Sequence, residues 1–323
     1  MTAEMRAALV RACGSPPEYG TTAAPERGPG TTLVAVTAAS VTPLDVLCAT
    51  GTSYFGRPAT PYVPGVQGVG TVVASDVHAA GARVWFPTVA GMAPGNGSMA
   101  ELCAVPDGVV MVLPDGVPDD HVAALGLSAV AGWATLTRAG RLAPGETVLV
   151  LGGGGIVGQV AIQAARILGA GRVVAAARSA DARRRAAAAG ADAVVGLDDA
   201  DDADVLAAKL REACDGAVDV VVDPLFGVPA TAAARVLARH GRLVNLGSSA
   251  GDAATFRSSE LRAKPASVIG YTNNDVPFEE MRQILATVLD HAAAGRLAVA
   301  FETRPLGDVA AAWEATSRVV LTP

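Results

Sequence analysis

Val148-Leu149-Val150-Leu151-Gly152-Gly153-Gly154-Gly155-Ile156-Val157-Gly158 decides how this chain folds. Only one frame through it gives the spacing GxGxxG: Gly153, Gly155 and Gly158. An apolar run, Thr147–Leu151, precedes it, and an amphipathic stretch, Ile156–Leu168, follows. A strand before and a helix after separate a dinucleotide-binding turn from a merely glycine-rich loop. Gly153 is expected to turn the chain out of the strand and Gly155 to let the backbone approach a pyrophosphate. Gly158 is expected to let helix and strand pack closely. The helix start at Ile156 and Val157 would offer unpaired N–H groups and a positive dipole end to the anion.

Outward from this turn, apolar strand-like runs alternate with helical stretches. The strands are expected at Thr147–Leu151, Arg172–Ala177, Ala193–Val195, Val218–Val222, Arg242–Leu246 and Ser267–Tyr271. Crossover helices are expected at Ile156–Leu168, Asp181–Ala189, Val205–Cys214 and Pro229–Arg239. Such alternation specifies an α/β fold, a parallel sheet covered on both faces. Six strands suit the doubly wound Rossmann order 3-2-1-4-5-6. Before Pro114–Pro118 the chain is rich in Gly, Pro, Val and Thr, with short β-like runs, the texture of a small irregular β domain. After Asn274 we expect a helix at Phe278–Ala294, a strand at Ala298–Thr303, a short helix at Leu306–Ala315 and a last strand at Arg318–Leu321. That tail is too small to fold alone. The domains are therefore read as 1–118 with 274–323, interrupted by the nucleotide domain 119–273.

The second strand ends in Ala177, where an NAD-specific protein places the carboxylate that holds the ribose 2′-hydroxyl. Arg178 and Ser179 follow, with Arg183, Arg184 and Arg185 a turn on. A guanidinium attracts a 2′-phosphate and can bond it bidentately. NADPH is therefore expected over NADH, with Arg178, Ser179 and Arg183 as candidate contacts; a plain surface arginine is the alternative for Arg178. Asn245, Gly247 and Tyr271 fall at the carboxyl ends of strands, where open sheets bind ligands.

The rest of the composition narrows the function. The net charge of -6 gives no general attraction for nucleic acid or anionic lipid. No run approaches the ~18 uninterrupted apolar residues of a membrane helix. Met1 to Val10 lacks the apolar core of a secretory signal. Cys13, Cys48, Cys103 and Cys214 stand far apart, without zinc-ribbon spacing, and read as reduced thiols of a cytoplasmic protein. The four histidines are isolated, and the acidic patch Asp198 to Asp204 reads as a solvated turn.

The order of motifs resembles the medium-chain dehydrogenase/reductases along nearly the whole chain. The resembling pieces are Ala39-Ser40-Val41-Thr42-Pro43-Leu44-Asp45, Val63-Pro64-Gly65-Val66-Gln67-Gly68-Val69-Gly70 and Gly132-Trp133-Ala134-Thr135-Leu136. The glycine turn, Asp219-Val220-Val221-Val222-Asp223, Gly241-Arg242-Leu243-Val244-Asn245-Leu246-Gly247 and Arg318-Val319-Val320-Leu321 complete the set. Zinc members of the family carry Cys where this chain has Thr42, and His-Glu where it has Val66-Gln67. Valine cannot ligate zinc, and threonine and glutamine are poor ligands. The cysteine-rich lobe is also missing from Val89–Ser98. No metal is expected.

The resemblance therefore implies a zinc-independent enzyme of the quinone oxidoreductase or enoyl reductase branch, with a GroES-like catalytic domain. Hydride would pass from NADPH to a quinone or to the β-carbon of an α,β-unsaturated carbonyl compound, in a cleft between the domains. A dedicated biosynthetic enoyl or ketone reductase and a non-catalytic, redox-sensing NADPH-binding protein are the alternatives. Tyr54 matches the loop of a proton-donating tyrosine; as a phenol it is protonated at neutral pH, and the readings open to it are proton donor, pocket lining, or neither. Thr42 and Asp45 are expected near the nicotinamide, with a structural turn as the alternative for Asp45. Gln67 either bonds a substrate carbonyl or simply replaces the lost ligand. Arg318 stands where relatives carry a lysine and is a candidate cofactor contact. The family also implies a homodimer, paired through the last strand of the sheet.

Overall fold

The computed structural model describes residues 3–323. The chain divides into two units, one of residues up to Leu127 plus Ala300–Pro323, the other Ser128–Val299. In the first unit β1 (Glu4–Leu9) pairs with β2 (Glu18–Ala23) as an antiparallel ribbon. A larger sheet is built on the ten-residue β3 (Thr31–Ser40). One edge of β3 pairs with β4 (Gln67–Ala74), and β5 (Arg83–Pro87) and β7 (Met111–Val112) continue outward. Its other edge takes β6 (Leu102–Pro106) along Thr31–Ala35. Helix α1 (Pro43–Thr50) follows β3 directly. Trp85, Phe86 and Met99 are fully buried in this unit.

Helix α2 (Asp119–Ala134) carries the chain across the boundary and is broken at Gly126, at φ 33° and ψ −129°. The helical stretch Asp119–Ala139 is long and apolar enough to cross a membrane, but 72% of its apolar window is buried inside the fold. It is a core helix.

The second unit contains the parallel sheet. Its strands are β8 (Thr147–Leu151), β9 (Arg172–Ala177), β10 (Ala193–Gly196), β11 (Val218–Asp223), β12 (Leu237–Asn245) and β13 (Ser267–Gly270). They lie in the order β10-β9-β8-β11-β12-β13, every pair parallel. This is the doubly wound order 3-2-1-4-5-6. Val148, Leu149, Val150 and Leu151 have no exposed surface, as expected where helices cover both faces. Each such side chain contributes about 1.5–3 kcal/mol. Among the crossovers are α3 (Ile156–Ile167), α4 (Ala180–Ala188), α5 (Ala203–Ala213) and α6 (Gly227–Val236).

The tail differs from expectation. Helices α7 (Ser258–Ala263) and α8 (Phe278–Ala293) both belong to the second unit, so the boundary at 273/274 is corrected to Val299/Ala300. The reason lies in what holds α8: Arg138 pairs with Glu280 at 2.5 Å, and Trp133 stacks on His291 with ring centroids 5.5 Å apart. The start of the second unit likewise moves from 119 to Ser128. No strand forms at Ala298. Its N–H and C=O bond instead to the side-chain amide of Gln163, at 2.9 and 2.8 Å. The strand expected there is β14 (Glu302–Pro305), and the helix expected at Leu306–Ala315 shortens to a 3-10 turn and α9 (Val309–Trp313). Finally β15 (Val319–Thr322) pairs with Ala39 and Ser40 of β3.

Candidate functional site

The glycine turn is built by close approach. The left-handed residue that turns the chain out of β8 is Gly152, at φ 67°, not Gly153 as its place in the motif suggested. Gly153 is needed for packing: a Cβ there would sit 2.7 Å from the Cβ of Ala175. A Cβ on Gly158 would meet the Gly152 carbonyl at 2.4 Å, so this glycine lets α3 lie on the turn. Gly155 is different. A Cβ there would meet only the Gly152 carbonyl, at 3.6 Å. Gly155 is also the N-cap of α3 and supplies no capping side chain, leaving the first-turn N–H groups, those of Ile156 and Val157 included, available to a ligand. Open space beside an uncapped helix start suits a dinucleotide diphosphate. Gly154 is fixed from behind, its carbonyl accepting from Arg185 Nε at 2.9 Å and Gln159 Nε2 at 3.0 Å.

Beyond the end of β9 lies a cavity of about 440 Å³, lined by Arg178, Arg183, Gly196, Asp198, Asp199 and Lys209, together with Leu197. Arg178 is exposed. Arg183 bonds the Arg178 carbonyl at 2.9 Å and lies across Gly196, 3.2 Å from where a Cβ would stand. Of the four clustered arginines only these two line the cavity: Arg184 pairs with Asp181, and Arg185 is held by Gly154. Ser179 caps α4, its Oγ accepting from Ala182 N at 3.1 Å. Asp198, Asp199 and Lys209 were not singled out as site residues, because 20 to 31 residues of sequence separate them from Arg178. The acidic patch is only partly a solvated turn. Asp202 caps α5, and Asp201 holds Lys209.

At the carboxyl ends of β11 and β12, Asp223 is fully buried and accepts from the N–H groups of Leu225 and Phe226, at 3.0 and 2.8 Å. Burial pushes its carboxyl above the usual range, against these hydrogen bonds and that of Asn245. Asn245 Nδ2 donates to Asp223 Oδ2 at 3.2 Å and to the Gly247 carbonyl at 2.7 Å. Gly247 is hemmed in by the Pro224 carbonyl, 2.8 Å from a built Cβ. Phe226 adopts φ 55° and ψ −153°, a conformation nearly reserved for glycine, which costs about 1–3 kcal/mol. Tyr271 donates to Asn273 Oδ1 at 2.8 Å, and burial raises its pKa.

The first unit commits most of its candidates to structure. Thr42 caps α1: its Oγ1 accepts from Asp45 N at 3.2 Å and donates to Asp45 Oδ2 at 2.6 Å. Asp45, 2% exposed, also accepts from Gly65 N and Val66 N at 3.0 and 2.9 Å. Burial raises its pKa, opposed by these bonds. Asp45 is thus the clamp between α1 and the turn before β4, not a free carboxylate. Gln67 has no exposed surface and four partners. Its Nε2 donates to Ser40 Oγ and the Ala123 carbonyl, at 2.9 and 3.1 Å. Its Oε1 accepts from Trp85 Nε1 and Leu127 N, at 3.2 and 2.6 Å. An amide has two donors and two acceptor sites, so none remains for a substrate carbonyl.

Arg318, 8% exposed, donates to the Val41 carbonyl at 2.9 Å. Burial pulls its pKa down to about 10, against the attraction of Asp45. It braces the loop before α1. Tyr54 is 77% exposed, its ring 4.1 Å from that of Phe55. Among the described residues no group of three or more His, Cys, Asp or Glu is placed to hold a metal ion.

Two family models match this chain: the alcohol dehydrogenase GroES-like domain over residues 28–115 and the zinc-binding dehydrogenase over residues 157–290. The phthioceranic/hydroxyphthioceranic acid synthase of Mycobacterium tuberculosis is 32% identical over 305 residues, 88% of this chain but 13% of the synthase. A phenolphthiocerol/phthiocerol polyketide synthase polypeptide of the same organism is 30% identical over 82% of this chain, which spans 12% of it. Among solved structures, a mycobacterial quinone oxidoreductase is 26% identical, with a TM-score of 0.84 over 99% of this chain and 100% of the other. A mycobacterial protein complexed with NADPH is 27% identical, at the same TM-score and coverage. An NAD-dependent alcohol dehydrogenase is 26% identical, with a TM-score of 0.86 over 99% and 100% of the two chains. The two family models together span more than half of the sequence and meet both units of the fold, so this chain belongs to the medium-chain dehydrogenase/reductase superfamily of oxidoreductases.

Proposed function

We propose that this protein is an NADPH-dependent reductase that delivers hydride to a quinone or to the β-carbon of an α,β-unsaturated carbonyl compound, without zinc. The observation that carries the cofactor reading is the pair Arg178 and Arg183 on one cavity, beside a strand that ends in Ala177 rather than a carboxylate. Bound there, NADPH supplies the hydride. The chain's part is to seat the diphosphate against the amides of α3, hold the 2′-phosphate with guanidinium groups and position an acceptor. The engagement of Thr42 and Gln67 in structural hydrogen bonds supports the zinc-free reading. With no Lewis acid to activate an alcohol, reduction of an already polarised acceptor is favoured. Tyr54, exposed on the loop after α1, is the proposed source of the proton.

Incubation of the protein with NADPH and a panel of quinones and enones tests this. Broad turnover supports it. One good substrate supports a dedicated biosynthetic enoyl or ketone reductase, a reading favoured by the likeness to large synthases. NADPH binding with no oxidation across the panel leaves a non-catalytic redox-sensing protein.

We also infer a homodimer. Among the described residues, strand β13 has a neighbour on one side only, and Val268 on it is 39% exposed. Pairing with a second copy would cover that edge. Sedimentation at micromolar concentration should show a dimer; monomer alone rejects it. Four free cysteines, three of them buried, fit a reducing cytoplasm.

A further inference from the structure

We propose that Lys209 on α5 is a second determinant of cofactor choice, acting on the 2′-phosphate together with the arginines that line the same cavity; this rests on the NADPH reading above. Lys209 lines the same cavity as Arg178 and Arg183. Its ammonium is fixed by Asp201, with Nζ at 2.8 and 2.6 Å from the two carboxylate oxygens. The Asp201 side chain is only 10% exposed, whereas that of Lys209 is 44% exposed. The carboxylate lies beneath and the ammonium faces out. Of its three donors, the two turned to Asp201 leave one for an anion.

The charge balance decides what the cavity accepts. Asp198 and Asp199 also line it and oppose a phosphate dianion. Counting Asp201, three carboxylates meet three cations. Without Lys209 the balance turns negative, which disfavours a phosphate dianion.

Calorimetry with adenosine 2′,5′-bisphosphate and adenosine 5′-monophosphate isolates the 2′-phosphate and needs no turnover. The wild type should bind the bisphosphate more tightly. Lys209→Met should shrink that preference about 5-fold, with little change for the monophosphate, the loss being modest because the ammonium is part-exposed. Lys209→Arg should keep the preference, and Asp201→Asn should widen it. If Lys209→Met leaves the wild-type preference intact, or Lys209→Arg loses it equally, Lys209 has no such role and the arginine reading stands. If the wild type itself binds both nucleotides equally, the NADPH reading fails and Lys209 with it.

Discussion

Gln67 is spliced into helix α2: its amide takes the Ala123 carbonyl on one side and the Leu127 N–H on the other, at 3.1 and 2.6 Å. Those two groups are the i, i+4 pair that would bond each other in an unbroken helix. Gly126 makes the insertion possible, since a Cβ there would stand 1.9 Å from Gln67 Oε1. Gln67 is thus a helix-splitting hydrogen-bond hub.

Gln67→Leu should therefore destabilise the protein by about 2–4 kcal/mol, because it leaves several buried polar groups unpaired. Gly126→Ala should do the same by expelling the amide. The double variant should cost less than the two single effects combined. Urea unfolding measures all three.

Gly155 and Gly158 should part company. Gly158→Ala drives a Cβ into the Gly152 carbonyl and should lower the melting temperature. Gly155→Ala has room, with its nearest neighbour at 3.6 Å, and should melt like wild type. Its methyl would occupy the space where a diphosphate approaches, so nicotinamide nucleotide binding should fall at least 10-fold, roughly a charged hydrogen bond or two. Intact binding in Gly155→Ala would place the ligand elsewhere.

Arg178→Ala should weaken NADPH about 10-fold and NADH little, since it removes charged hydrogen bonds to the 2′-phosphate alone. Fluorescence titration with both cofactors compares them. Equal losses would refute the assignment.

Glu146 and Arg242 form a two-pronged pair, both contacts at 2.8 Å, with side chains 23% and 14% exposed. Hydrogen bonds from Arg242, foremost, and from Ala143 N hold the Glu146 carboxyl below its usual range, against partial burial. A depressed carboxyl contributes stability that is present above the unfolded pKa, about 4.3, and lost as pH falls through the folded one. Glu146→Gln should cost about 1 kcal/mol at neutral pH, with the gap to wild type closing in acid. Urea midpoints from neutral to acid pH test the sign.

Tyr54→Phe separates the roles open to that phenol. Loss of a proton donor should lower kcat about 100-fold. A lining role should shift KM and spare kcat. Steady-state kinetics on an accepted enone decides.

The parallel sheet was legible because its strands are apolar throughout and punctuated by glycine. Thr147–Leu151 and Arg172–Ala177 match the structure residue for residue. The tail was harder. Leu297 to Ala300 has the apolar texture of a strand, yet Ala298 takes its hydrogen bonds from Gln163, 135 residues earlier. No local pattern reports such a partner. For the site, the glycines and Arg178 announced themselves by spacing. Gln67, Asp45 and Arg318 were visible as unusual residues at informative positions, but their engagement depends on backbone groups that only tertiary structure brings near. Lys209 carried no signal beyond being a cation on an amphipathic helix.

The ten-residue β3 offers Ala39 and Ser40 to β15, so its far half waits for the last strand of the chain. The inserted unit Ser128–Val299 is continuous and holds all its strands before that point. On a ribosome, the nucleotide unit can complete its sheet while the earlier-made unit still lacks a strand, together with the Arg318 brace on Val41.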